Sequence, residues 1–262
     1  MLNRFTVSRF HRRIEKSRTE PSIVFCETGE GEEAEFFIKL HGSGERGAVG
    51  LVAEMMAAQL ATDLDLPTPP SALLEVTAEF AATIPKAEIA ATFQKSLGWN
   101  FGSRHVGPGF ATWPQGRVPP AELRALAAEI FAFDALIQNA DRRTGNPNCL
   151  TNGRELVMID HELAFDFIGG GITFWKPPWE GGDLGFLRQH IFYEPLRKTP
   201  VDFNRLGGAI EALTADRMNS YAESVPVEWP KGTDAAEKIL DYLLPMKTNI
   251  TKALDAIAAF LR

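Results

Sequence analysis

The first forty residues contain two short runs of alternating and aromatic residues that are typical of β-strands. One run covers 34–40 and an earlier one covers 22–27. The segment between them, 28–33, is acidic and carries two glycines, as tight turns often do. This pattern predicts a β-hairpin. The Arg-rich stretch 1–18 before it is interpreted as a further strand with basic flanks.

A glycine-rich stretch at 41–50 precedes a strong helical pattern, in which apolar residues recur at helical spacing from 51 to 64. The prolines after Leu66 end this helix, because proline supplies no amide donor and restricts the residue before it. The pattern then predicts a short strand at 72–76, partly helical structure over 78–97, an extended segment at 99–106 and a flexible joint at 107–109.

The chain from residue 119 onward has mainly the apolar spacing of helices. A long helix is expected from Pro120 to about Gln138, followed by a polar loop at 139–148. Two short apolar runs, at 149–150 and 155–159, come after that loop. Further helices are predicted at 202–214, at 215–224 and at 234–261, the last with an interruption near Pro245.

A strand-rich first part followed by a helix-rich second part predicts an α+β protein with two lobes. We place the N-terminal lobe at 1–107 and the C-terminal lobe at 108–262, with the joint near 106–112. The chain has 262 residues, of which 45% are hydrophobic, so it can bury a core large enough for one two-lobed unit.

Charge and cysteine content narrow the class of protein. The formal net charge is −7 and the pI is near 5.4, which argues against a dedicated nucleic-acid binder, because phosphate neutralisation needs a basic face. No apolar run approaches the roughly 18 residues of a membrane span. Cys26 and Cys149 are too few for a disulfide framework and lack zinc-site spacing. Two reduced thiols in a cytoplasmic protein are the simplest interpretation.

The polar loop and the run that follows it carry the residue types needed for phosphoryl transfer. Asp141, Asn146 and Asn148 lie in the loop, and Asp160 closes the apolar run at 155–159. Phosphoryl transfer needs one carboxylate to orient the attacking group and oxygen ligands for the metal that bridges the phosphates. Carboxylate and amide oxygens suit Mg²⁺. The loop therefore predicts a metal-assisted site.

The spacing within this set matches that of protein kinases, where the catalytic Asp precedes a metal-binding Asn by five residues and a metal-binding Asp follows. Asp141 and Asn146 have this interval, and Asp160 supplies the last member. Asn148 is the alternative to Asn146, because it lies just before the next apolar run. The same residue types also crowd exposed turns. Asp160 at the end of an apolar strand is the stronger indication, because a carboxylate there needs a partner.

Lys39 and Glu54 add independent support from the first half of the chain. Lys39 lies inside an otherwise apolar strand, where a lysine is costly unless it is paired. Glu54 lies in the following helix between apolar neighbours. A strand Lys that contacts phosphates and is held by a helix Glu is the kinase arrangement. The alternatives are a lysine extending to solvent from an edge strand and a glutamate on a solvated helix face.

On these residues the chain resembles the HipA-like kinases, a bacterial branch distantly related to the phosphatidylinositol 3- and 4-kinases. The Asp-Arg pair in the loop is similar to the lipid-kinase form of the catalytic loop, although Arg143 stands where that form usually has His. His161 and Glu162 follow Asp160 in place of Phe-Gly. The matching motifs, in chain order, are Phe37-Ile38-Lys39, Glu54 in its helix, Asn139-Ala140-Asp141-Arg142 and Ile159-Asp160-His161.

The resemblance implies a two-lobed protein-kinase-like fold and transfer of the ATP γ-phosphoryl group to a hydroxyl acceptor, on a protein or a small molecule. It also implies a role for each residue of the phosphate side. Lys39 would contact the ATP phosphates, and Glu54 would hold that lysine. Asp141 would orient or deprotonate the acceptor hydroxyl.

The resemblance further implies two sets of ligand contacts. Asp160 and either Asn146 or Asn148 would ligate Mg²⁺. Val106 and Gly107, at the joint between the lobes, are the expected contacts to the nucleotide. The cofactors expected from this family are therefore ATP and Mg²⁺.

Two other functions fit parts of the same sequence. The stretch 42–47 matches GxGxxG between a strand and a helix, which is the context of a dinucleotide-binding fingerprint. Repeated strand–helix alternation does not follow, and the acid expected at the end of the next strand is met weakly by Glu75. The second alternative is a pseudokinase that binds a nucleotide or a partner without transfer. The sequence also does not separate a kinase from an enzyme that transfers AMP.

Overall fold

The first half of the chain forms a five-stranded closed barrel. The computed structural model describes residues 2–14, 21–29, 31–44, 46–169 and 176–262. Neighbouring strands pair antiparallel, except that the first and fourth pair parallel and close the barrel. In the order of the barrel, the strands are β1 (Asn3–Arg13), β2 (Ser22–Gly29), β3 (Glu32–Lys39), β5 (Gly98–Arg104) and β4 (Ser71–Val76).

Strand β3 shows why Lys39 lies where it does. The predicted hairpin is confirmed, with Ser22 opposite Ile38 and Cys26 opposite Ala34. Side chains of a strand alternate between its two faces. Phe36 and Ile38 belong to the apolar cluster inside the barrel. Lys39 is therefore on the outer face, beside Phe101 of β5.

Helix α1 (Gly47–Asp63) follows β3 and is buried over nearly its whole length. It begins at Gly47, four residues earlier than the apolar pattern alone indicates, because the last glycines of the glycine-rich stretch are helical. The segment between β4 and β5 is helical in two parts, as expected. These are α2 (Ala78–Ala82) and α3 (Ala87–Gln94), and their apolar residues pack into the barrel core.

The second half is mainly helical. Its sheet is small: β6 (Ala111–Thr112), β7 (Cys149–Thr151) and β8 (Leu156–Met158) pair in that order. None of the helices in the described ranges has both the length and the apolar character needed to cross a membrane. The helices are α4 (Ala121–Leu136), α5 (Tyr193–Leu196), α6 (Asn204–Ala212), α7 (Ala215–Glu223), α8 (Gly232–Thr248) and α9 (Ile250–Leu261).

The predicted interruption near Pro245 lies four residues further along the chain. Pro245 is inside α8, and the break occurs at Asn249, between α8 and α9. The carbonyl oxygen of Pro245 accepts hydrogen bonds from both the backbone and the side-chain nitrogens of Asn249. The polar side chain of Asn249 therefore ends the helix, and the proline is tolerated inside it.

One hydrophobic core joins the two halves of the chain. It contains α1, and Leu73 and Phe101 from the barrel, together with the helices of the second half. Helix α1 packs against α7 and α8. The indole nitrogen of Trp229 donates to the carbonyl of Trp99 at 2.7 Å. The boundary between residues 107 and 108 remains a prediction, and α1 shares its core with the C-terminal helices.

Candidate active site

Lys39 lies at the centre of a cluster of carboxylates. Its Nζ donates to Glu54 Oε2 at 2.9 Å and to Asp160 Oδ1 at 2.7 Å. Glu162 Oε2 lies 3.6 Å from the same nitrogen. The Lys39 side chain is 14% exposed, so these contacts are shielded from water. The predicted pair of Lys39 and Glu54 thus forms, and Asp160 joins it across 121 residues of sequence.

The three carboxylates share this one ammonium unequally. Burial alone would lower the pKa of Lys39, but attraction to Asp160, Glu54 and Glu162 raises it above its usual value. Burial would raise the pKa of Asp160, yet the close ammonium of Lys39 lowers it. Burial raises the pKa of Glu54 to about 7 and also raises that of Glu162, because Lys39 compensates them less completely. Attraction to Lys39 therefore outweighs burial in the pKa of Asp160, whereas burial outweighs it in the pKa of Glu54 and Glu162.

Local backbone geometry places these groups. Glu54 is buried on α1, and its Oε2 also accepts the backbone N–H of His161 at 2.6 Å. Asp160 follows β8 with φ of 59°, in the left-handed region that a non-glycine residue enters at a cost. This turn directs the chain back toward α1. The side chain of Asp160 remains 32% exposed and can contact a ligand.

Asp141 is held by both candidate metal-binding amides. Its Oδ2 accepts from Asn146 Nδ2 at 2.7 Å and from Asn148 Nδ2 at 3.1 Å. Arg143 and Asn146 exchange backbone hydrogen bonds of 3.0 and 2.8 Å, which close a tight turn. This turn brings Asn146 back to Asp141, five residues earlier in the chain. Arg143 Nε also lies 3.4 Å from Asp141 Oδ1. Because each amide nitrogen faces the carboxylate, each amide oxygen points away from it.

A buried ion pair beneath this loop was not identified from the sequence. Arg142 is fully buried, and its Nε and Nη2 donate to Asp134 at 2.6 and 3.3 Å. His190 Nδ1 accepts the N–H of Phe192, so its Nε2 carries the proton and donates to Asp134 Oδ2 at 2.9 Å. The signal available in the sequence was the acid Asp134 in the apolar run 130–137 at the end of α4.

Arg142 joins the loop at 139–148 to the segment after β8 that carries Asp160. Its Nη1 donates to the carbonyl oxygens of Asn148 and Ile159, the latter at 3.1 Å. The N–H of Ile159 donates to the carbonyl of Asn148 at 3.0 Å. Asn148 and Asp160 thus lie at the same end of the β7–β8 hairpin. The buried guanidinium of Arg142 therefore joins two groups of candidate residues. One is Asp141 with its two amides, and the other is Lys39 with its carboxylates.

Val106 and Gly107 lie in the connection after β5. The N–H of Gly107 donates to His105 Nδ1 at 3.0 Å, and the His105 ring stacks on Phe37 with 5.3 Å between ring centroids. Phe37 is two residues from Lys39 on the same strand. No hydrogen bond or ion pair within the described ranges links Val106 or Gly107 to the other candidates. Their nucleotide contact remains a prediction.

The donor set fits a hard divalent cation. Asp160 offers a carboxylate, and Asn146 and Asn148 offer amide oxygens that point away from Asp141. Mg²⁺ binds through few protein oxygens and keeps water or phosphate oxygens as its other ligands. Within the described part of the chain, no three or more His, Cys, Asp and Glu side chains are grouped to hold a metal. A metal at this site would therefore depend on the amides and on phosphate oxygens.

The glycine-rich stretch does not belong to a dinucleotide-binding fold. It connects a barrel strand to α1, and no doubly wound parallel sheet is present in the described ranges. The N–H groups of His41 and Gly42 are bound by Asn100 and Ser96. Glu45, in the middle of the motif, lies outside the described residues. The dinucleotide-binding alternative is wrong, because the parallel sheet that it requires is replaced by a barrel.

Comparison with known proteins decides the family. The model of the HipA-like kinases matches residues 7–257. The chain belongs to the HipA-like kinase family. Residues of both groups described above, from Lys39 to Asp160, fall within the matched range. No curated protein sequence shows significant similarity to this HipA-like kinase.

Solved structures confirm the fold. The crystal structure of the Helicobacter pylori proinflammatory kinase CtkA aligns with a TM-score of 0.55 and 12% identity, covering 100% of both chains. The Golgi casein kinase, crystallised with Mn and ADP bound, aligns with a TM-score of 0.51 and 11% identity over 98% of this chain and 74% of its own. The predicted α+β, kinase-like fold is confirmed. Family and fold together support a kinase-type phosphotransferase.

Proposed function

We propose that this HipA-like kinase transfers the γ-phosphoryl group of ATP to a hydroxyl, on a protein acceptor, in a reaction that requires Mg²⁺. The observation that carries the proposal is the contact of Lys39 with both Glu54 and Asp160, at 2.9 and 2.7 Å. A phosphate-binding Lys, its helix Glu and a metal-binding Asp are three parts that kinases must bring together. Binding of Mn and ADP by the Golgi casein kinase supports a nucleotide and a divalent cation here.

Each residue has a role in this proposal. Lys39 binds the phosphate oxygens of ATP, and Glu54 holds Lys39 in position. Asp141 accepts a hydrogen bond from the acceptor hydroxyl and takes its proton as the phosphoryl group is transferred. Val106 and Gly107 contact the base of the nucleotide through their backbone.

The metal would be held by Asp160 and by one of the two amides of the catalytic loop. When bound, Mg²⁺ neutralises charge on the phosphate oxygens as the phosphoryl group transfers. Asn146 is favoured over Asn148 by its five-residue interval from Asp141. Asn148 stays the alternative, because it immediately precedes β7 and is tied to Ile159 beside Asp160.

Binding is tested by thermal denaturation of the full chain with ATP, with and without Mg²⁺. A ligand that binds the folded state raises its apparent stability. We expect a rise that requires Mg²⁺ in the wild type and is lost in Asp160→Asn. The matched control is Asp241→Asn, which changes an exposed acid of α8 and should respond like the wild type. Stabilisation by NAD or NADP in place of ATP would reject the proposal.

Transfer is tested separately with ATP labelled in the γ- or the α-phosphate. Asp141→Asn should keep the ATP-dependent stabilisation and lose about 10²–10⁴-fold in transfer, which is the usual contribution of a general base. Label transferred from the γ position supports a kinase, and label from the α position indicates AMP transfer. ATP binding without either product, over a range of acceptors, would favour the pseudokinase. Full activity of Asp141→Asn would show that the base is another residue.

We also propose that the protein lies in the cytoplasm, on the evidence of its two thiols. Cys26 and Cys149 are both buried free thiols. Burial raises the pKa of Cys26 to about 12 and that of Cys149 to about 11, so both stay protonated and unreactive. Neither is part of a disulfide, which agrees with the reducing conditions of the cytoplasm.

A further inference from the structure

Glu162 is an additional acid at the centre of the candidate site. It lies two residues after Asp160, where the Asp-Phe-Gly motif of protein kinases has glycine. Its Oε2 is 3.6 Å from Lys39 Nζ, and its side chain is 8% exposed. None of the roles proposed above uses it. A carboxylate is costly to bury, so its presence here needs a reason.

The surrounding chain makes room for this side chain. A β-carbon added to Gly50 of α1 would lie 2.9 Å from Glu162 Cγ, closer than such carbons approach other atoms. A β-carbon on Gly44 would lie 3.4 Å from Glu162 Oε1. Arg46 Nη1 donates to the carbonyl oxygens of Glu162 and Ala164 at 3.0 and 3.2 Å. Gly44 and Gly50 thus leave space for the side chain of Glu162, and Arg46 holds the backbone of Glu162 and Ala164.

Glu162 lies where its carboxylate would repel the phosphates of a nucleotide bound to Lys39. Lys39 donates hydrogen bonds to Glu54 and Asp160, and Glu162 is the third anion within 4 Å of its ammonium. Phosphates that bind Lys39 must approach this same ammonium. A buried carboxylate beside them repels their charge strongly, because little water screens the interaction. Arg46, the other cation near Glu162, uses Nη1 on backbone carbonyl oxygens.

We propose that Glu162 is a positioning residue that lowers the affinity for the nucleotide by competing with its phosphates for Lys39. This inference rests on the proposed function of the site. Binding of ATP then requires Lys39 to exchange its contact with Glu162 for one with phosphate. Glu54 keeps its own hydrogen bond to Lys39, so that the lysine remains in place. Glu162 thus acts through Lys39 on binding, with little effect on the chemical step.

The test compares Glu162→Gln, which removes the charge and keeps the shape, with Glu162→Asp, which keeps the charge. Kd for ATP is measured by calorimetry on the full chain in excess Mg²⁺, and KM and kcat are measured from the release of inorganic phosphate from ATP. We expect Glu162→Gln to lower Kd and KM about fivefold or more and to leave kcat within about twofold. Glu162→Asp should stay close to the wild type. Glu237→Gln, at an exposed position of α8, is the matched control.

The outcomes separate this inference from the proposed function. A wild type that does not bind ATP rejects the function itself. A wild type that binds, with Glu162→Gln unchanged or weaker, rejects the inference alone. A higher Mg²⁺ requirement in Glu162→Gln would also reject it, since Glu162 would then contact the metal. If Glu162→Gln does not fold, Glu162→Gly, which restores the glycine of the kinase motif, also removes the charge and is measured in its place.

Discussion

Arg142 and Asp134 support the candidate site from inside the core, away from solvent. Both side chains are completely buried, and Arg142 divides its donors between Asp134 and the carbonyl oxygens of Asn148 and Ile159. Attraction to Asp134 raises the pKa of Arg142 although burial would lower it. The pair therefore remains charged in the core, where it fixes the two segments that carry the candidate metal ligands.

Removing one partner of this pair should destabilise the protein strongly. Asp134→Ala leaves the guanidinium of Arg142 buried without its counter-charge and removes the acceptor of His190. We expect a loss of about 3–5 kcal/mol in the free energy of unfolding, measured by urea denaturation. Glu211→Ala, which removes an exposed acid from α6, should change it by less than about 0.5 kcal/mol. A loss below about 1 kcal/mol for Asp134→Ala would show that the pair is not needed for folding.

The same pair predicts a pH dependence of stability. Burial would raise the pKa of Asp134, but Arg142 and His190 hold it well below its ordinary value of 3.8. A carboxyl whose folded pKa is depressed contributes stability above the unfolded pKa, and this contribution is lost as the pH falls below it. Between pH 4 and 3 the wild type should therefore lose about 1 kcal/mol more than Asp134→Ala. Parallel curves over this range would contradict the assignment.

Helix α1 carries a feature that its own sequence disfavours. Glycine inside a helix costs about 1 kcal/mol relative to alanine, yet Gly50 lies in the first turn and is buried. Space explains it, because a β-carbon there would meet Glu162 Cγ at 2.9 Å and Arg46 Cβ at 3.0 Å. The helix and the segment after β8 therefore constrain each other.

A double-mutant cycle tests this coupling. Gly50→Ala alone should lower the free energy of unfolding by about 1–3 kcal/mol through overpacking. In a Glu162→Ala background the Cγ is gone, so the same change should cost at least about 1 kcal/mol less. Urea denaturation of the four proteins gives the coupling. Costs that agree within about 0.5 kcal/mol in the two backgrounds would show that Gly50 is present for another reason.

The elements that local periodicity defines were the ones that the sequence predicted well. The hairpin of β2 and β3, the helix at α1 and the helix–loop–strand around Asp141 follow from residues close in the chain. The parallel pairing of β1 with β4 does not, because it joins strands about seventy residues apart without a local signal. Glu162 was seen as a departure from a motif, but its contact with Lys39 depends on the distance between two elements. The burial of Arg142 is not predicted from the sequence either, because it depends on how α4 packs against the loop at 139–148.

At the scale of the molecule, a shared hydrophobic core and hydrogen bonds join the two halves of the chain. The barrel has its own core, which includes Phe36 and Phe93. Its outer face contributes Leu73 and Phe101 to the larger core that contains α1 and the C-terminal helices. Hydrogen bonds from Trp229 to Trp99 and from Met158 to Pro67 cross between the halves. Separating the halves would expose α1, whose residues are mostly buried.

The whole chain should therefore unfold in a single transition. The chain has five tryptophans, of which Trp99 lies in the barrel on β5. The difference in fluorescence between the wild type and Trp99→Phe therefore reports on the barrel, and far-UV circular dichroism reports mainly on the helices. We expect the two signals to give the same urea midpoint, which is the test of two-state behaviour. Trp229→Phe removes the hydrogen bond to Trp99 and should lower that shared midpoint, at a cost of about 1 kcal/mol, without splitting the transition. An early fluorescence change with the helical signal intact would show that the barrel unfolds by itself. The cluster around Lys39 would then be disrupted while Asp141 and its amides stayed in place, because Lys39 comes from the barrel and Asp160 from the second half.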